Sequence, residues 1–88
     1  MSQFQKLMLL LLSGRSDGNI SFSELTNLLG RAGFECRIKG SHHIFSKNGV
    51  EEILNLQPRG AFVKPYQVKQ VRDVLIKYRL ASEGDTDE

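Results

Sequence analysis

The residues best suited to chemistry stand together in one short run, Lys39-Gly40-Ser41-His42-His43. Histidine has an ordinary pKa of about 6.5, so it takes up and releases a proton near neutrality. Arg37, Lys39 and Lys47 lie within a few residues of the pair and each adds a positive charge. A histidine beside cations is what cleavage of RNA by its own 2′-hydroxyl requires. A base removes the hydroxyl proton, cations stabilise the charged phosphorane, and an acid protonates the departing 5′-oxygen. No metal is needed. The plainer reading is two ordinary histidines on a small sheet, one half-buried and one exposed.

The remaining candidates are weaker. A nucleophilic Ser41 needs a base, an orienting acid and an oxyanion hole, and nothing nearby supplies the set. Ser41 therefore reads as a turn residue that can donate to a phosphate. Asp17-Gly18-Asn19 lacks the further ligand spacing of a calcium loop. Lys64-Pro65-Tyr66-Gln67 opens a helix, where free N–H groups and a lysine can hold a phosphate, although Pro65 removes one donor. A plain surface helix start explains those residues equally well. Cys36 alternates with apolar residues and reads as packing. Without a C-x-x-C pair, and with only two adjacent histidines, no zinc site of the usual spacing is expected, and no cofactor.

The elements that must carry these residues follow from periodicity. Ser2 and Gln5 form a capping box, and Phe4, Leu7, Met8 and Leu11 mark one face of a first helix. Leu9, Leu10 and Leu12 make its other faces apolar, so it is buried on several sides or meets a partner. Ser13-Gly14 ends it, and residues 16–19 read as a loop. Ser21 and Glu24 then cap a second helix over about Phe22 to Arg31, with Ile20 and Leu25 as a staple. Gly30 and Gly33 mark its end.

The period then changes to two. Phe34, Cys36 and Ile38 alternate with charged residues, which predicts a half-buried strand. Gly40-Ser41 makes a turn, residues 42–46 a second strand, Asn48-Gly49 a hairpin turn and Glu52 to Gln57 a third strand stopped by Pro58. Alternation puts His42 with Ile44 on one face and His43 with Phe45 on the other, while Arg37 and Lys39 share a face. A register slip of one residue exchanges the two histidines. Arg59 to Val63 reads as a loop. Pro65 starts a last helix running to about Leu80, with Val68, Val71, Leu75 and Tyr78 on its buried face. The order α-α-β-β-β-α is an α+β fold, a three-stranded antiparallel sheet packed by helices.

Composition sets the outer limits. The chain has 88 residues, 40% hydrophobic, and a single cysteine. That suits one small domain in a reducing compartment and excludes a disulfide scaffold. The longest apolar run, Leu7 to Leu12, falls far short of the roughly 20 residues of a membrane span. A cytoplasmic protein with no membrane partner is expected. The formal net charge is +2, yet Glu83, Asp85, Asp87 and Glu88 all lie in the last eight residues. Residues 1–80 thus hold 12 basic against 6 acidic side chains, or +6. A basic body fits a polyanionic partner such as nucleic acid. Residues 81–88 read as a disordered acidic tail.

Taken together, Gly33-Phe34, Arg37, Lys39-Gly40-Ser41-His42-His43-Ile44-Phe45, Pro58 and Lys64-Pro65 leading into Val71-Arg72-Asp73-Val74-Leu75-Ile76-Lys77 resemble the HicA (YcfA-like) toxins. These are the ribonuclease halves of bacterial HicA–HicB toxin–antitoxin pairs. The resemblance covers residues 22–79 and makes residues 1–80 a single HicA-like domain. It implies a double-stranded-RNA-binding-domain-like fold, α-β-β-β-α, to which residues 1–20 of this chain add an N-terminal helix. It also implies metal-independent cleavage of mRNA and restraint by a HicB-like antitoxin. The family's catalytic histidine matches His42 and its glycine matches Gly40, with His43, Lys39 and Ser41 as possible supporting groups. Arg37, Lys47, Arg59 and Lys64 are the residues expected to meet RNA. Two departures stand out. The family commonly has Pro-x-His after the third strand, where this chain has Gln57-Pro58-Arg59-Gly60, and Gly-Thr where this chain has Tyr66-Gln67. The second catalytic group is therefore open, as is whether His42 acts as base or acid. The competing functions are a non-catalytic RNA-binding module on the same fold, and an interaction domain whose partner covers the leucine-rich first helix.

Overall fold

In the computed structural model, residues 2–81 are described. Helix α1 spans Gln3–Ser13, a 3₁₀ turn Asp17–Asn19, and α2 Phe22–Arg31. Strands β1 (Glu35–Lys39), β2 (His42–Lys47) and β3 (Val50–Leu56) follow, then the short strands β4 (Pro58–Arg59) and β5 (Phe62–Val63), then α3 (Pro65–Lys77). The chain is a small α+β domain with a three-stranded antiparallel sheet in the order β1-β2-β3. No helix among the described residues is long and apolar enough to cross a membrane.

The caps form as the residue types demand. Ser2 Oγ accepts from Gln5 N while the Gln5 side chain accepts from Ser2 N, and Ser21 Oγ accepts from Glu24 N. At the end of α2, Phe34 N donates to Leu29 O and Gly33 N to Gly30 O, a pattern that needs a left-handed residue at Gly33, whose φ is +100°. The expected extension of α3 to Leu80 does not occur. Leu80 N turns back to Leu75 O and Arg79 takes φ +58°, so the helix closes on a similar motif at a non-glycine residue.

One core joins all layers. Phe4, Met8 and Leu11 of α1 enter it with Leu25, Leu28 and Leu29 of α2, so the first helix completes the core. Its outer side leaves Leu9 and Leu10 exposed. Phe45, Leu54 and Leu56 supply the sheet's contribution, and Val68, Val71 and Leu75 that of α3. Ala81 packs against this core too, whereas residues 82–88, the rest of the acidic tail, lie outside the described residues.

Several expectations change. Residues 17–19 form a 3₁₀ turn, and residues 58–63 form the β4–β5 hairpin, which Phe62 ties to Ser21 by a bridge. β1 is exposed along its whole length and not half-buried. Its register sets Cys36 beside Phe45 and Ile38 beside His43, on the side that faces the helices. The helices pack chiefly against β3, so this edge strand overhangs the core. Cys36 is consequently exposed and does not serve packing.

Two polar clusters lock the helices. Arg72 donates to Asp17 Oδ1 at 2.9 Å and to Leu11 O at 3.2 Å, joining α3 to the end of α1, and its pKa is raised mainly by the Asp17 hydrogen bond. Near the other end of α3, Lys77 Nζ meets Glu52 Oε2 at 2.8 Å and the Tyr78 hydroxyl donates to Glu52 Oε1 at 2.6 Å. These bonds, Lys77 first and Tyr78 second, pull the Glu52 pKa from 4.5 down to about 2. A depressed carboxylate stabilises the fold above its unfolded pKa and loses that contribution as pH falls through the folded value. A carboxyl-detected NMR titration should therefore place Glu52 near pH 2, and Lys77→Met should move it back towards 4.5.

Candidate active site

His42 opens β2, directly after the Gly40-Ser41 turn. Gly40 has φ +62°, which a type II′ hairpin turn asks of its first central residue, and a Cβ there would meet only open space. Backbone conformation, not crowding, is what favours glycine. The register pairs Lys39 with His42 and Arg37 with Ile44. Directly paired side chains sit about 4.5–5.5 Å apart at Cβ, so Lys39 is the immediate neighbour of His42 and Arg37 its diagonal one. All three are exposed on the sheet face that the helices leave open. Neither Arg37 nor Lys39 has a carboxylate partner among the described residues.

The same register settles the positions of the two histidines. His43 pairs with Ile38 and Leu56 on the helix side, and its ring meets Phe22 edge-on at 4.8 Å. Its Nδ1 is buried without a hydrogen-bond partner among the described residues. His42 alone shares a face with the cations.

Both ring nitrogens of His42 are engaged. Nδ1 lies 3.0 Å from Asn55 Oδ1, and Nε2 lies 3.3 Å from Gln57 Nε2. The Gln57 amide also donates to Ser41 Oγ at 3.3 Å, and its Oε1 accepts from Lys64 Nζ at 3.2 Å. Gln57 N donates to Oε1 of Gln67, a buried polar side chain at the start of α3. A polar chain thus runs from Asn55 through His42 and Gln57 to Lys64 and Gln67.

The other expected RNA contacts divide. Lys64 belongs to the site, but its ammonium is taken up by Gln57. Lys47 does not belong to it. It ends β2, five residues from His42, or about 16 Å at the usual strand rise, and its Nζ packs against Gly33, 2.6 Å from where a Cβ would stand. Arg59 is exposed on β4, two residues beyond Gln57, and makes no ion pair among the described residues. No sequence signal marks the side chains of Asn55, Gln57 and Gln67 as partners of His42, although Gln57 and Gln67 lie within the Gln57-Pro58-Arg59-Gly60 and Lys64-Pro65-Tyr66-Gln67 segments. The described residues contain no group of three or more His, Cys, Asp or Glu that could hold a metal ion.

Comparison with protein-family models, with curated proteins and with solved structures returned no match.

Proposed function

We propose that this chain is a HicA-like toxin, a metal-independent endoribonuclease that cuts mRNA in the cytoplasm and is restrained by a HicB-like antitoxin. The observation that carries the proposal is an exposed His42 set directly across from Lys39, on an uncovered sheet face that also presents Arg37. The helix and strand order from Phe22 onward, with helices on one side of the sheet, suits a double-stranded-RNA-binding-domain-like fold extended by α1. The family resemblance at residues 33–45 supports the same reading.

In this mechanism His42 moves the proton of the 2′-hydroxyl. The 2′-oxygen attacks phosphorus, the bond to the 5′-oxygen breaks, the departing 5′-oxygen takes a proton from solvent water, and the products are a 2′,3′-cyclic phosphate and a 5′-hydroxyl. Lys39 and Arg37 stabilise the added charge on the phosphorane. The Gly40-Ser41 turn lets the RNA backbone approach closely. A non-catalytic RNA-binding module draws less support, because Lys47 stands at the far end of the hairpin and Lys64 is turned into Gln57.

Expression of the wild type under a tight promoter should arrest growth with loss of full-length mRNA. Normal growth and intact mRNA, with folded protein present, would sink the proposal. The two cations make a separate prediction. Each of Arg37→Ala and Lys39→Ala should weaken binding to a single-stranded RNA carrying a 2′-deoxy block at the cut site. Each should also reduce the slope of log K against log salt by about 0.7. An unchanged slope in both variants would place the RNA elsewhere.

A further inference from the structure

The hydrogen-bond chain around His42 contains one group whose polarity admits no choice. The Lys64 ammonium can only donate. The Gln57 atom that faces it at 3.2 Å is therefore the carbonyl oxygen. The other end of that amide, the NH₂ group, then faces Ser41 Oγ and His42 Nε2, each at 3.3 Å. An NH₂ group donates, so His42 Nε2 has to accept and carries a lone pair. A neutral imidazole with a lone pair on Nε2 bears its proton on Nδ1. Nδ1–H in turn requires an acceptor, and Asn55 Oδ1 stands there at 3.0 Å. Donor and acceptor roles thus agree at every step from Lys64 to Asn55.

We propose that Asn55, aided by the Lys64–Gln57 pair, is the positioning residue that holds His42 in its Nδ1–H form with Nε2 as the basic atom. This rests on the ribonuclease reading for its catalytic meaning, and it assigns His42 the role of base towards the 2′-hydroxyl. In this role Asn55 acts through the His42 ring and not on the reacting atoms. It does for His42 what the orienting acid does in a hydrolase triad, with an amide oxygen in place of a carboxylate. Gln57 occupies Nε2 in the free protein, so the substrate hydroxyl takes the place of its NH₂ group. Lys64 acts through Gln57, in addition to any contact it makes with phosphate.

The test combines a spectroscopic and a kinetic arm on the full chain. Long-range ¹H–¹⁵N NMR of the imidazole rings, recorded at pH 8, reads which nitrogen of His42 carries the proton. The wild type should show Nδ1–H, against the preference of free imidazole side chains for Nε2–H. Asn55→Ala should shift His42 towards Nε2–H and lower kcat by about 100-fold with KM nearly unchanged. That is less than the ~10⁴-fold loss when a triad acid is replaced, since an amide oxygen bears no full charge. Asn55→Asp, which also accepts from Nδ1–H, should restore most of kcat. A wild-type His42 protonated on Nε2 overturns the inference whether or not the protein cuts RNA, and so does an Asn55→Ala variant with unaltered tautomer and kcat. An Nδ1–H wild type that cuts no RNA supports the tautomer assignment and removes the ribonuclease reading instead.

Discussion

Replacing His42 by alanine is expected to lower RNA cleavage by about 10²–10⁴-fold, the range that one positioned acid–base group contributes. The loss should fall on kcat. His42 lies on the open face and its ring is exposed, so removing it empties no part of the core. On the proposed reading Arg37 and Lys39 hold the phosphate and are untouched by this substitution, so RNA affinity should change little. The partners left behind, Asn55 and Gln57, are at the surface or near it and can turn to water. Single-turnover cleavage and binding of a blocked RNA, measured on the same samples, check both halves. His43→Ala provides the contrast. His43 packs on Phe22 at the helix side, so its removal should cost stability first and activity only through stability. A His43 variant that folds well yet cuts as poorly as His42→Ala would reverse the assignment of the two residues.

The second large effect is on the fold. Phe45 is 2% exposed on the central strand, flanked by Cys36 of β1 and Leu54 of β3. Phe45→Ala should destabilise the domain by about 3–5 kcal/mol. Stabilities of native domains start at about 5 kcal/mol, and a domain this small sits near that end. At about 4–8 °C per kcal/mol, the melting temperature should drop by roughly 12 °C or more. Ile53 on the adjacent strand is just as apolar but 60% exposed, on the open face. Ile53→Ala should cost no more than about 0.5 kcal/mol. Thermal melts followed by circular dichroism give both values, and equal losses would mean that the open face is covered by something the monomer does not contain.

Much of this arrangement was legible because local chemistry and global packing agree. The capping box at Ser2, the Ser21 cap, the turns at Gly40-Ser41 and Asn48-Gly49 and the Pro65 helix start are short-range signals, and each stands where residue type places it, although at Ser21 only the bond from Glu24 N to Ser21 Oγ forms. The alternation of His42 and His43 across the sheet follows from the strand period of two.

What could not be read depends on register and on which strand the helices choose. Asn55 and Gln57 lie 13 and 15 residues from His42. A register shift between Phe45 and Lys47 intervenes, so no fixed spacing predicts their meeting. Arg72 and Asp17, 55 residues apart, meet because α3 packs against the 3₁₀ turn, a contact that no local pattern encodes. Lys47 was misplaced because nearness along an extended strand is not nearness in space. β1 misled because its alternation is real, yet the helices pack on β3 and leave its inward side uncovered. Periodicity reports which way side chains point and says nothing about whether another layer reaches them.

The most direct measurement is the chemistry of the cut ends. Purified protein should be incubated with a defined single-stranded RNA in the presence of EDTA, and the fragments analysed by mass spectrometry. Attack by the 2′-hydroxyl predicts fragments ending in a 2′,3′-cyclic phosphate, with a 5′-hydroxyl on the other side of the cut, and none from an RNA with a single 2′-deoxy residue there. Fragments bearing 5′-phosphate, cleavage of the deoxy-substituted RNA, or no cleavage by folded protein would contradict the central claim.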